Sequence, residues 1–90
     1  MNEIDILALF YEEMKEQGIN RQNVFLNFDS TAIERLQTKH GKNNSSKDIY
    51  RLVDTCLINE WIERTTVDPG YNYLSLTEAG LQVLLDCKYD

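Results

Sequence analysis

One proline, one histidine and two well-separated cysteines are all this 90-residue chain has of the residues that most strongly kink, ligate or cross-link. Cys56 and Cys87 form no CxxC pair and have only His40 as company, so a zinc centre with its close set of about four N/S ligands is excluded. The two thiols read as small apolar core residues rather than as a disulfide staple. No apolar run approaches the roughly 18 residues needed to span a membrane. The start, Met1-Asn2-Glu3-Ile4-Asp5, is acidic where a signal peptide would be basic, and a cytoplasmic location is expected. Repeats, low-complexity tracts and linkers are missing too, so residues 1–90 read as a single domain with one modest core.

Catalytic signatures are also missing. The chain has no glycine-rich phosphate loop, nucleophile elbow or metal motif. His40 falls in a polar turn and Glu12-Glu13 on a helix face, where both are expected to be solvated. The expectation is a protein that is not an enzyme and carries no cofactor or metal.

What is present is ordinary globular chemistry, with 42% apolar and 27% charged residues. The net charge of −6 argues at first against a polyanionic partner. Its distribution argues otherwise. Arg35, Lys39, Lys42, Lys47 and Arg51 lie in one window against Asp48 alone, giving net +4 there and −10 for the rest. Such asymmetry points to a localised anion-binding surface.

Periodicity predicts a helix over 3–17, with Ile4, Leu7, Ala8, Tyr11 and Met14 as its apolar stripe, Phe10 beside it and Gly18 as its stop. Val24 to Phe28 reads as a short strand or, equally, a buried loop. Asp29 or Ser30 caps a second helix, Thr31 to His40, with Ile33 and Leu36 inward. After the polar turn Gly41-Lys42-Asn43-Asn44, Ser45 or Ser46 caps a third helix, Lys47 to Leu57. Ile49, Leu52, Val53, Cys56 and Leu57 form its inward stripe, while Lys47, Arg51, Asp54 and Thr55 face away with Tyr50 on the flank. Trp61 to Val67 and Tyr73 to Leu76 make a hairpin around a type II turn at Asp68-Pro69-Gly70-Tyr71. Trp61 closes that hairpin onto the core. Thr77 caps a last helix whose apolar face is Leu81, Leu84 and Leu85.

The run "RLVD…WIER…DPGYN…LSLTEAG" resembles the recognition helix, wing and following helix of winged helix-turn-helix proteins, nearest to the MarR type. The likeness covers residues 46–82 best, and residues 3–45 in element order. It implies an α+β, mostly helical fold of three helices, a β-hairpin wing and a C-terminal helix. Three features depart from the family pattern. The wing tip has no arginine, the turn after Leu36 is enlarged, and Asn59-Glu60 stands where a glycine is usual. Asn59 is expected to take the left-handed conformation there.

The resemblance implies a small DNA-binding transcriptional regulator that reads duplex DNA with the helix at 46–57. One small domain covers little DNA, so a homodimer is expected, paired through the first and last helices unless the monomer core uses both. Ser45, Ser46, Lys47, Tyr50 and Arg51 are the candidate leading-end contacts. Lys39 and Lys42 are candidate phosphate contacts, and Arg64, Tyr71 and Asn72 candidate wing contacts. The acidic remainder, the arginine-free wing and Asp54 on the outward face of the third helix support a different reading. There the chain is a winged-helix protein-interaction module, an accessory subunit or a phage- or plasmid-type antagonist, with little DNA binding.

Overall fold

A computed structural model describes residues 1–67 and 70–87. The first helix, α1 (Glu3–Gln17), opens with a reciprocal capping box. Asn2 Oδ1 accepts from the Ile4 amide at 3.0 Å, and Asp5 Oδ2 accepts from the Asn2 amide at 2.8 Å. Gly18, at φ 65°, ends it in the left-handed conformation.

The stripe expected on α1 is too narrow. Ile6, Leu7, Ala8, Leu9 and Phe10 are all buried, five consecutive residues that go round the whole helix, while Ile4, Tyr11 and Met14 are half-buried. The cause is tertiary. Helix α3 (Ser46–Ile58), helix α4 (Glu78–Asp86), strand β2 (Leu74–Leu76) and a 3-10 turn at Arg21–Asn23 all pack against α1. A helix enclosed on every side needs no polar face at its centre. Phe10 is fully buried against Phe28, and its truncation would cost roughly 3–5 kcal/mol.

Helix α2 (Ser30–His40) begins at an Asp29 cap, whose Oδ1 accepts from the Ala32 amide at 3.1 Å, and it buries Ile33 and Leu36. Ser45 caps α3 in the same way through the Asp48 amide at 3.1 Å. Ile49, Val53 and Cys56 are buried, whereas Leu52 and Leu57 are only half-buried at the edge of the core. The α3 terminus is a Schellman motif: the Trp61 amide donates to Cys56 O at 2.9 Å and the Glu60 amide to Leu57 O at 3.1 Å. The left-handed residue is therefore Glu60, at φ 60°, and Asn59 stays helical at φ −81°. The expectation was one residue early because the helix runs one residue further, to Ile58.

The hairpin is shorter than expected. Strand β1 (Ile62–Arg64) pairs antiparallel with β2 in the register Ile62↔Leu76, Glu63↔Ser75, Arg64↔Leu74. Tyr73 leaves the ladder with φ 54°. The expected turn at 68–71 falls partly on Asp68 and Pro69, which lie outside the described residues.

The segment Val24 to Phe28 contributes one antiparallel bridge instead of a strand. Leu26 and Leu74 exchange both backbone hydrogen bonds at 2.9 Å. That bridge makes β2 the middle of the arrangement, and all three of its residues are buried. Ser75 is accommodated there because its hydroxyl donates to Arg21 O at 3.3 Å.

Thr77 caps α4 through the Gly80 amide at 3.0 Å. Leu84 is buried, Leu81 half-buried, and Leu85 is exposed at 44%, so the expected apolar face of α4 is narrower than Leu81, Leu84 and Leu85 together. Trp61 is half-buried against the core, as expected of a residue closing the hairpin. The described residues form an α+β, mostly helical fold of four α-helices and a two-stranded antiparallel hairpin. No helix among the described residues is long and apolar enough to cross a membrane.

Candidate nucleic-acid interface

Helix α3 enters the site at a fixed angle because the turn before it is tied down. The Asn44 amide group donates to His40 O at 3.1 Å and Gly41 O at 3.0 Å, and Gln37 donates back to Asn44 O at 2.8 Å. Ser45 spends its hydroxyl on the cap, leaving Ser46 exposed in the first turn.

Lys47, Tyr50, Arg51 and Asp54 follow at i, i+3, i+4 and i+7, one continuous face of α3. Lys47 and Arg51 are exposed, and neither has an ion-pair or hydrogen-bond partner among the described residues. Tyr50 turns toward the segment before α2, where its hydroxyl donates to Phe28 O at 2.7 Å. Tyr71 comes from the hairpin to meet it, with ring centroids 4.6 Å apart and planes tilted by 30°. The Tyr71 hydroxyl donates to Asp54 Oδ1 at 3.0 Å. That bond is the main reason the Tyr71 phenol titrates above its ordinary value, with partial burial adding to it. Lys47, Tyr50, Arg51, Asp54 and Tyr71 together line an open notch of about 340 Å³.

The other expected contacts are placed differently. Lys39 is paired with Glu12, and Arg35 lies 3.2 Å from Glu13 and 3.8 Å from Glu12. Two of the five cations in the basic window are therefore committed to α1, and Glu12 and Glu13 are half-buried partners rather than a solvated pair. Lys42 is exposed on the turn before α3. The Arg64 Nε donates to Gly70 O at 3.2 Å, across the end of the hairpin. Asn72 is half-buried. Lys42, Lys47 and Arg51 thus gather around the start of α3, Tyr71 joins them, and Lys39 and Arg64 are drawn into internal contacts.

His40 is half-buried and not solvated as expected, with Nε2 4.0 Å from Asp5 Oδ1. Cys56 is buried as expected, but Cys87 is exposed. Burial, with a smaller contribution from Glu3, pushes the Cys56 thiol up to about 12. Among the described residues no cluster of three His, Cys, Asp or Glu side chains is arranged to hold a metal.

Sequence reasoning placed Asp54 on the outward face, where it counted toward a protein-interaction surface, but gave it no partner. Its partner lies 17 residues away, across a hairpin whose path a helical wheel cannot show. No protein-family model, curated protein or solved structure matches this chain.

Proposed function

We propose that this protein is a small winged-helix regulator of transcription that binds duplex DNA, with α3 as the helix that enters the major groove. The element order supports this reading: helix, single bridge, two helices, hairpin, helix, with the hairpin packed beside the third helix. The observation that carries it is the pair Lys47 and Arg51, exposed and unpartnered among the described residues, one turn apart on the face of α3 opposite its core stripe. Ser46 and the start of α3 lie next to Lys47, where a phosphate would be favoured by free amides and the helix dipole. Lys42 would add a further backbone contact. Pairing through a two-fold axis, as a cytoplasmic homodimer, would raise the DNA surface one small domain can cover. The buried centre of α1 is committed to the monomer core, which leaves α4, with Leu85 exposed, as the better pairing surface.

Fluorescence anisotropy with a labelled duplex, titrated at several salt concentrations, tests this reading. We expect log K to fall linearly with log salt, and Lys47→Glu with Arg51→Glu to abolish binding while the thermal transition is retained. A flat salt dependence, or unchanged affinity in the double variant, would count against it.

One observation favours a second reading as a protein-interaction module. Ile58 is 80% exposed and lies two turns along α3 from Arg51, on the same side. With the −10 remainder, that apolar side chain suits a protein surface better than a phosphate backbone. An Ile58→Asp variant that keeps duplex affinity but loses a co-purifying partner would favour this alternative.

A further inference from the structure

A carboxylate is a poor residue to place where phosphates approach, yet Asp54 lines the same notch as Lys47 and Arg51. It is not a stray solvated charge. Tyr71 holds Oδ1 at 3.0 Å, the Tyr71 ring is stacked on Tyr50, and the Tyr50 hydroxyl is anchored to Phe28 O. The amide of Phe28 in turn donates to Tyr71 O at 2.8 Å, closing a ring of contacts between α3, the hairpin and the segment before α2. Four interactions therefore fix the direction of one carboxylate. Oδ2 has no hydrogen-bond partner among the described residues, and Asp54 is half-buried rather than covered.

A positioned acceptor beside two cations has a specific use on a surface that reads base edges. An ionised carboxylate accepts only, so it rejects guanine O6 and N7 and thymine O4 and favours an exocyclic amine. Arginine has the opposite preference and takes guanine O6 and N7. We propose that Asp54, oriented by Tyr71, is the specificity-determining acceptor of this face and selects a cytosine N4 amine in the major groove. Arg51, three residues earlier on the same face, takes a guanine beside it. This inference rests on the duplex-DNA reading of α3 and adds the base preference that reading lacks. Tyr71 acts here through Asp54 and is a positioning residue.

The test is selection of bound sequences from a randomised duplex pool, followed by Kd measurements on the selected site and on its single-base variants. The wild-type chain should prefer cytosine at one position by roughly tenfold. Asp54→Asn should lose that preference at that position only, with overall affinity unchanged or higher, since a negative charge has been removed. Tyr71→Phe keeps the ring stack and should weaken the same preference; should it fail to fold, Asp54→Asn decides alone. Lys47→Ala should lower affinity for every sequence equally and leave the preference intact.

A purely structural role for the pair predicts that Asp54→Asn weakens binding to all sequences uniformly, and that result would overturn the proposal. Retained cytosine preference in Asp54→Asn would also overturn it while leaving DNA binding by α3 standing. Failure of the wild-type chain to bind any duplex at low salt would remove the underlying reading itself.

Discussion

Gly80 packs its bare Cα against the main chain of Trp61 so closely that an added Cβ would stand 2.0 Å from the Trp61 carbonyl oxygen. The contact lets the first turn of α4 lie on the start of the hairpin, where the Thr77 amide donates to that same oxygen at 3.0 Å. Backbone on one side and the Leu76 side chain on the other leave no room for relief. Gly80→Ala should therefore destabilise the protein by roughly 3 kcal/mol despite the better helix propensity of alanine. Urea unfolding followed by circular dichroism measures this, and a gain in stability would show that the helix can move off the hairpin.

Glu60 occupies the left-handed position that ends α3, at φ 60° with a full side chain. Glu60→Gly should raise stability by about 1 kcal/mol by relieving that strain. Asn59→Gly, one residue earlier at φ −81°, should lower it, because nothing there calls for glycine and the Asn59 amide loses its bond to Thr55 O at 2.9 Å. Thermal melts of the two variants should move in opposite directions.

Cys56 and Cys87 should differ sharply toward a thiol reagent. The exposed Cys87 should react in the native state, while Cys56, buried and pushed up to about 12, should react only on unfolding. The raised value also has a sign for stability. Between the ordinary thiol value of 9.0 and about 12 the native chain keeps a proton that the unfolded chain has lost. The stabilisation from the neutral thiol is thus complete below pH 9 and declines above it, by at most about 1.4 kcal/mol per pH unit. Cys56→Ala should flatten that alkaline decline, which denaturant titrations at pH 8, 9 and 10 would detect.

Glu12 and Glu13 hold Arg35 and Lys39 on the α1 side of α2. Those cations are about half exposed, so the pairs contribute little to folding. Replacing both acids, Glu12→Gln with Glu13→Gln, should leave the melting temperature within a few degrees. It should strengthen duplex binding severalfold at low salt by removing two negative charges beside Arg35 and Lys39. Anisotropy titrations decide this, and unchanged affinity would place Arg35 and Lys39 outside the bound footprint.

Local chemistry made much of this fold legible. The caps at Asp29, Ser45 and Thr77, the stop at Gly18 and the α3 stripe through Ile49, Val53 and Cys56 each depend on neighbours within a few residues. The misreadings share a tertiary origin. Ile6 and Leu9 fell outside the expected stripe because the elements that enclose α1 are distant in sequence. Leu26 pairs only because Leu74 comes alongside, and Lys39 is drawn away by an acid on a different helix. The candidate site was legible in Lys47 and Arg51, whose exposure follows from the helical period. Asp54 finds its partner in Tyr71, 17 residues further along the chain, and no spacing rule reports that.

The enclosure of α1 has a consequence for how the protein is made. Synthesis delivers this most deeply buried helix before two of the elements that cover it, because β2 and α4 come only after residue 73. Until then Ile6 to Phe10 have an incomplete shelter, and the nascent chain carries a sticky segment with no native place for one side of it. Loss of the final helix should thus send the remainder toward aggregates or chaperones rather than to a smaller folded protein. Helix α4 acts as the lock on α1.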